Sequence, residues 1–245
     1  MVPDSAPVPD RIILINKPYR WTSFDVVKKL RKPLLDERKR ELSPVERSEI
    51  KKLKVGHAGT LDPLATGLLV LCSGNLTKQI SEIQDAEKEY TGTIVIGSVT
   101  DSFDLETPPH SFRPFDHINP EKIYSVAASF CGDQMQTPPI HSAKKIEGRR
   151  AYEKARRGEK FNLKASSITI KTFDITVIKL PEIDFRVVCT KGTYIRSLAH
   201  DFGQRLMIGA YLSALCRTRI GSYHLEDALS PNEFLTQLAE KQNIQ

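Results

Sequence analysis

Apolar and polar positions along this chain repeat with two periods, near 2 and near 3.6, and the switches between them mark its elements. RIILINKP (11–18) is a short apolar run closed by Pro18 and predicts a strand. Thr22 and Ser23 are cap residues ahead of a helix through about Arg31, with Phe24, Val27 and Leu30 on one face. Residues 33–50 are charged and weakly patterned, and Ser43-Pro44 opens a second helix toward Leu53. GLLVLCSG (67–74) predicts a buried strand, LTKQISEI (76–83) an amphipathic helix, and EYTGTIVIGSVT (89–100) a long strand. The run TDSFDLETPPH is a loop, and Pro120 opens a helix over 120–130. Residues 134–159 form a Pro-broken arm, a turn and a short basic helix. SSITIKTFDITVIKL (166–180) and IDFRVVCTKG (183–192) alternate and predict an antiparallel pair. Thr193 caps a helix through about Met207, residues 210–225 are strand-like, and the last twenty residues are a short polar helix and tail. Strands and helices mix without a βαβ rhythm, so the expected class is α+β with a mostly antiparallel sheet.

One stretch carries more punctuation than a turn requires. GHAGTLDPLATGLLVL (56–71) crowds glycines, a histidine and an Asp-Pro pair before an apolar run. Gly56 and Gly59 permit a sharp turn and close approach of a ligand. Pro63 fixes φ just after Asp62 and so restricts its orientation. The strand that follows anchors the loop. This is a way to present one carboxylate at a defined point, as a nucleophile or base requires.

The net charge of +6 changes the picture once it is located. Lys144 to Lys164 holds nine basic residues against three acidic ones, and Lys28 to Lys54 eleven against five, so each stretch alone carries +6. Two such blocks favour a polyanion, nucleic acid first. The 40% hydrophobic and 27% charged shares fit a soluble globular protein, and runs such as Leu68 to Cys72 are too short to span a bilayer. MVPDSAPVPD lacks the basic and apolar regions of a secretory signal and reads as a flexible tail. Cys72, Cys131, Cys189 and Cys216 form no CxxC pair, so reduced thiols in a cytoplasmic protein are expected. HExxH, Walker and GxGxxG patterns are absent, and neither a metal nor a cofactor is expected.

GHAGTLDPLATG resembles the catalytic motif of the TruB family, the tRNA pseudouridine-55 synthases. NKPYRWTS (16–23), EYTG (89–92), QTPPIHSAKKIEGRRAYEKAR (136–156), KGTYIRSLAHDFG (191–203) and LCRTRIG (215–221) are similar to further family segments in the same order, over roughly 11–225. The resemblance implies isomerisation of a T-loop uridine of tRNA, the base being detached from its ribose and rejoined through carbon. Assistance to tRNA folding belongs to the same implication. Asp62 is the implied catalytic aspartate, whether it attacks the base, attacks the sugar or removes a sugar proton; all three roles need it ionised. Arg196 is the implied partner that holds it so. Tyr90 is implied to stack on the flipped base, Tyr194 and Leu215 to line its pocket, and His57 to contact RNA around the displaced nucleotide. Lys144, Lys145, Arg149 and Arg150 are the implied grip on T-arm phosphates, in an arm over about 134–160. Lys17 and Pro18 serve structure near the site.

The resemblance implies a pseudouridine synthase catalytic domain over 11–230 with a central cleft, between a tail (1–10) and a short C-terminal tail (231–245) in place of a PUA domain. A monomer without membrane attachment or an obligate protein partner is expected. The family usually has Gly where this chain has Arg20, and an altered turn is expected there. Two other readings are a synthase for another RNA, including the catalytic subunit of a guide-RNA particle, and a non-enzymatic RNA-binding module.

Overall fold

The computed structural model describes residues 10–40, 42–140, 145–146, 149–150, 157, 159 and 163–243. They divide into two compact units, one of 1–86 with 216–245, the other of 87–215.

The first unit is organised by β3 (Thr66–Ser73), the run that reads as continuously apolar. It does so because both faces are covered, as in central strands generally. β1 (Ile12–Lys17) pairs antiparallel along it, from Ile12 opposite Cys72 to Lys17 opposite Gly67. β2 (Val55–His57) also pairs antiparallel with β3, at Leu71 to Ser73. Alternation then sorts side chains to two cores. Leu69 and Leu71 join Ile13, Ile15 and residues of two helices, while Leu68, Val70 and Cys72 pack with Ala58, Ile83 and Ile220 on the other face.

Helix α1 (Ser23–Arg40) starts as expected: the Thr22 hydroxyl accepts from the Asp25 N–H at 3.0 Å, and the Asp25 carboxylate accepts back from the Thr22 N–H at 2.9 Å. Two expectations fail in it. The helix does not stop near Arg31 but runs through Pro33 to Arg40, because Leu34 continues the buried stripe of Val26, Val27 and Leu30 beyond the missing Pro33 N–H. Arg38 to Asp10 (2.6 Å) and Arg11 to Glu37 fasten the last turns. Phe24, expected inside, is exposed, since the buried stripe is centred on Val26, Val27 and Leu30. Asp10, placed in the tail, is anchored by Arg38 and by the Asn75 N–H at 2.7 Å; residues 1–9 lie outside the described residues.

Ser-Pro-x-Glu occurs twice and builds a capping box each time. Ser43 and Glu46 open α2 (Pro44–Glu49). Ser230 and Glu233 reciprocate ahead of a helix over Pro231–Asn243. That segment is therefore not a tail: Phe234 and Leu238 belong to the first core. Between them in the chain, a 3-10 turn leads into α3 (Ile80–Asp85).

The second unit is a sheet of β4 (Lys88–Ile96), β5 (Gly132–Gln136), β8 (Ser166–Lys179) and β9 (Glu182–Cys189), in the order β4-β9-β8-β5 and antiparallel throughout, so the predicted pair of 166–180 and 183–192 is present as β8 and β9. A short ladder joins β6 (Lys145–Ile146) to β7 (Arg149–Arg150). α4 (Pro120–Ala128) begins at Asn119, whose side chain accepts from the Lys122 N–H at 2.9 Å. α5 (Ile195–Arg205) begins at Tyr194 without a side-chain cap. Thr193 does not cap it as expected, because its hydroxyl donates to the Thr190 carbonyl at 2.9 Å. Phe130, Phe173, Phe185 and Phe202 meet with ring centroids 5.6–6.4 Å apart and fill the core between α5 and the sheet.

β10 (Ala210–Ile220) serves both units: its first half lies beside β4, and its second half pairs parallel with β3 at Thr66 and Gly67 and antiparallel with β11 (Tyr223–His224). The class is α+β, as the pattern predicts. α6 is the helix Pro231–Asn243. Among the described residues no helix is long and apolar enough to cross a membrane.

Candidate active site

In the first unit nearly every residue from Ala58 to Ala65 is tied down. The Ala58 N–H donates to Val70 at 2.8 Å. The Gly59 carbonyl accepts from the Arg217 guanidinium at 3.0 Å. The Ser23 hydroxyl accepts from the Leu61 N–H at 2.9 Å and donates to the Leu61 carbonyl at 3.3 Å. The Asp62 carbonyl accepts from the Ala65 N–H at 3.1 Å, closing a turn with Pro63 at its second position. The Pro63 carbonyl accepts from the Arg20 N–H at 2.8 Å and from Lys17 Nζ at 3.4 Å. Asp62 is half-buried at the head of this turn.

Two buried cations lie behind the loop. Lys17 is fully buried, and its Nζ also donates to the carbonyls of Pro18 (3.0 Å) and Trp21 (2.6 Å). Burial pushes its pKa down to about 8; the charge of Asp62 opposes that fall and the charge of Arg217 adds to it. Arg217 is 1% exposed and bridges the two ends of the loop, donating from Nε to Leu68 at 2.8 Å and from its guanidinium to Gly59. Its backbone runs so close that a Cβ on Gly67, at φ +100°, would lie 2.4 Å from the Arg217 carbonyl oxygen. That close approach is why Gly67 stands between the Asp-Pro turn and the apolar strand.

In the second unit Arg196 occupies the first turn of α5 and is buried. Its Nε lies 3.7 Å from the Asp104 carboxylate, and its guanidinium donates to the Ser102 carbonyl at 3.2 Å. The loop that supplies both is locked: Ser102 Oγ donates to the Asp104 carbonyl at 3.0 Å, the Asp104 side chain accepts from the Glu106 N–H at 3.0 Å, and the Leu212 N–H donates to Phe103 at 2.9 Å. Tyr194 is held by Gln136, whose side chain accepts from the Tyr194 N–H at 2.7 Å and donates to its carbonyl at 3.0 Å. Ser197 Oγ donates to the Thr137 carbonyl at 2.8 Å. The root of the 136–156 segment thus grips the start of α5.

TruB family pseudouridylate synthase (N terminal domain) describes the family whose pattern matches residues 47–195. A tRNA pseudouridine synthase B of Flavobacterium johnsoniae is 50% identical over 219 residues, covering 89% of this chain and 92% of that protein. The chain belongs to the TruB family. A protein of the same name from Parabacteroides distasonis is 48% identical, covering 91% of this chain and 90% of its own length. Among solved structures, a chain of a Cbf5-Nop10-Gar1 complex has a TM-score of 0.67 at 26% identity, covering 92% of this chain. This chain spans about half, 53%, of that neighbour's length.

The residues that carry the TruB resemblance are distributed over both units. His57 ends β2 and Asp62 heads the turn in the first unit. Tyr90 lies in β4 opposite Val187 and is 9% exposed. Tyr194 and Leu215 are half-buried in the second unit. Of the basic arm, Lys144 lies outside the described residues, as does most of the expected basic helix after it. Lys145 pairs with Arg150, and Ile146 with Arg149, across the β6-β7 ladder. Arg20 does not sit in an altered turn: its φ is +66°, the left-handed region that Gly occupies freely. Sequence reasoning missed Asp104, Gln136 and Arg217. Asp104 had a signal in the polar run TDSFDLET, which is too compact for a featureless loop; Arg217 had one in its place inside an otherwise strand-like run.

Proposed function

We propose that this protein converts a T-loop uridine of tRNA to pseudouridine, with Asp62 as the catalytic carboxylate. The observation that carries the reading is the bracing of the Asp62 turn, by main-chain bonds from Arg20 and Ala65 and by Lys17, Ser23 and Arg217. Such bracing serves a reaction in which one ionised oxygen must meet a sugar or a base within a fraction of an ångström. The product is an isomer: the bond from the ribose to nitrogen breaks, a bond from the same carbon to a ring carbon forms, that ring carbon loses its proton, and the freed nitrogen takes one up. Tyr90 stacks on the base, Tyr194 and Leu215 enclose it, and His57 meets the neighbouring nucleotides. Arg196 is braced by Asp104, 3.7 Å from its Nε. Lys144, Lys145, Arg149 and Arg150 hold phosphates. tRNA rather than a guide-RNA target is favoured because the relatives at 48–50% identity cover about nine-tenths of both chains, whereas this chain spans about half of the Cbf5 complex chain.

The test is Asp62→Asn, which keeps shape and removes charge. Unmodified tRNA transcripts are incubated with each protein and pseudouridine is mapped by carbodiimide chemistry. The variant is expected to form none while its tRNA affinity stays within a few-fold of the parent, since phosphate contacts dominate affinity. Wild-type turnover by the variant would remove Asp62 from the chemistry.

A further inference from the structure

Arg20 is in a backbone conformation that an L side chain adopts at a cost and that Gly adopts freely. The bond that holds it there, N–H to the Pro63 carbonyl, is made by the main chain and would survive replacement by Gly. Nor does its side chain offset the strain by an ion pair or hydrogen bond among the described residues. The guanidinium is exposed and rests 5.5 Å from the ring centre of Tyr19, itself 48% exposed. On α1 the exposure continues: Phe24 is 60% exposed, and Lys28 and Arg31 follow it at i+4 and i+7 on one outward face. Lys29 and Lys32 are exposed beside them. The opposing carboxylates are both engaged, Asp25 with Thr22 and Asp36 with Lys32 at 3.4 Å.

Exposed aromatic rings interleaved with exposed cations are the composition of a single-stranded nucleic-acid platform, in which rings stack on bases and cations follow the backbone. The platform is tied to the Asp62 turn at Pro63. We propose that Arg20, Tyr19, Phe24 and Lys28 form a docking surface for the single-stranded RNA that flanks the target uridine, with Arg20 on a phosphate. The surface rests on the isomerase reading for the identity of that RNA, and it explains the strain: an Arg in the left-handed region serves a contact made only with the substrate.

Arg20→Gly separates the contact from the fold. Binding of a T-arm stem-loop is measured by fluorescence anisotropy from 50 to 200 mM salt, alongside thermal melting and pseudouridine formation by the parent. The expected result is an affinity ~3- to 10-fold weaker and a log–log salt slope shallower by roughly 0.7–0.9, with a melting temperature equal to or above the parent's. Arg20→Lys restores most of the affinity, and Phe24→Ala, outside the core, weakens binding without lowering the melting temperature. Parental affinity and slope in Arg20→Gly would overturn the proposal, as would affinity and melting temperature falling together. If the parent forms no pseudouridine yet Arg20→Gly binds more weakly, the isomerase reading falls and the RNA surface stands.

Discussion

Lys17 makes the stability of this protein rise with pH on the alkaline side of neutrality. Its pKa is about 8 in the folded chain, against 10.5 when unfolded. Below pH 8 both states carry the proton, and the folded state bears the full cost of a buried ammonium. Between about 8 and 10.5 the unfolded chain still binds the proton while the folded chain has released it, so stability increases with pH. At 1.36 kcal/mol per pH unit the whole gap amounts to about 3 kcal/mol, of which about 2–3 kcal/mol falls between pH 7 and 10. Cys189 acts in the opposite sense: burial raises its thiol to about 11, so the unfolded thiol ionises first and stability falls above about pH 9. Lys17→Met isolates the first effect, because Cys189 is common to both proteins and cancels in their difference. Urea unfolding followed by circular dichroism at pH 7, 8, 9 and 10 should show the parent gaining about 2–3 kcal/mol relative to the variant across the series. A difference that is flat with pH would refute a buried, titrating Lys17. Asp62→Asn should move the onset of the rise below pH 8, since it removes the charge that holds the Lys17 pKa up.

Three further outcomes are expected. Gly67→Ala sets a Cβ 2.4 Å from the Arg217 carbonyl oxygen at φ +100°, so it should lower the melting temperature sharply or leave no soluble protein. Arg217→Met abandons the carbonyls of Gly59 and Leu68; about 3–5 kcal/mol of stability should be lost, and in the protein that remains folded turnover should fall further than tRNA affinity. Charge reversal at Lys145 and Arg149 together should flatten the salt dependence of tRNA binding by nearly 2 in log–log slope, and an unchanged slope would take the arm off the RNA.

What could be read in advance follows what the chain exposes of its own physics. β3 was legible because a strand buried on both faces has no polar alternation to confuse it with a helix. β8 and β9 were legible because each alternates along its length. The end of α1 was not, because Pro33 and a charged tail outweigh two leucines until Asp10 and Arg11 arrive from elsewhere to pair with that tail. Thr193 looked like a cap because capping chemistry is local; that its hydroxyl turns back to Thr190 depends on the loop path. Within the site, Asp62 could be found because glycines and a proline announce a shaped turn. Lys17 was expected to serve structure near the site, but neither its complete burial nor that of Arg217 could be foreseen, and the one signal for Arg217 was its place inside a strand-like run. Asp104 and Gln136 act across long separations, on Arg196 and Tyr194, and although the polar run around Asp104 marks a shaped loop, nothing local names either partner.

The first unit is assembled from the two ends of the chain, and this sets an order of events during synthesis. Residues 1–86 leave the ribosome with the Asp62 turn, but the parallel neighbour of β3, the Arg217 clamp, and Phe234 and Leu238 follow only after residues 87–215. At ordinary elongation rates that interval is on the order of ten seconds. Throughout it the nascent turn has its Ser23, Lys17 and Arg20 anchors but neither bond from Arg217. A chain truncated between Ser73 and Arg217 therefore carries the carboxylate motif intact and the clamp missing, and the first unit matures only once Arg217, Phe234 and Leu238 have been made.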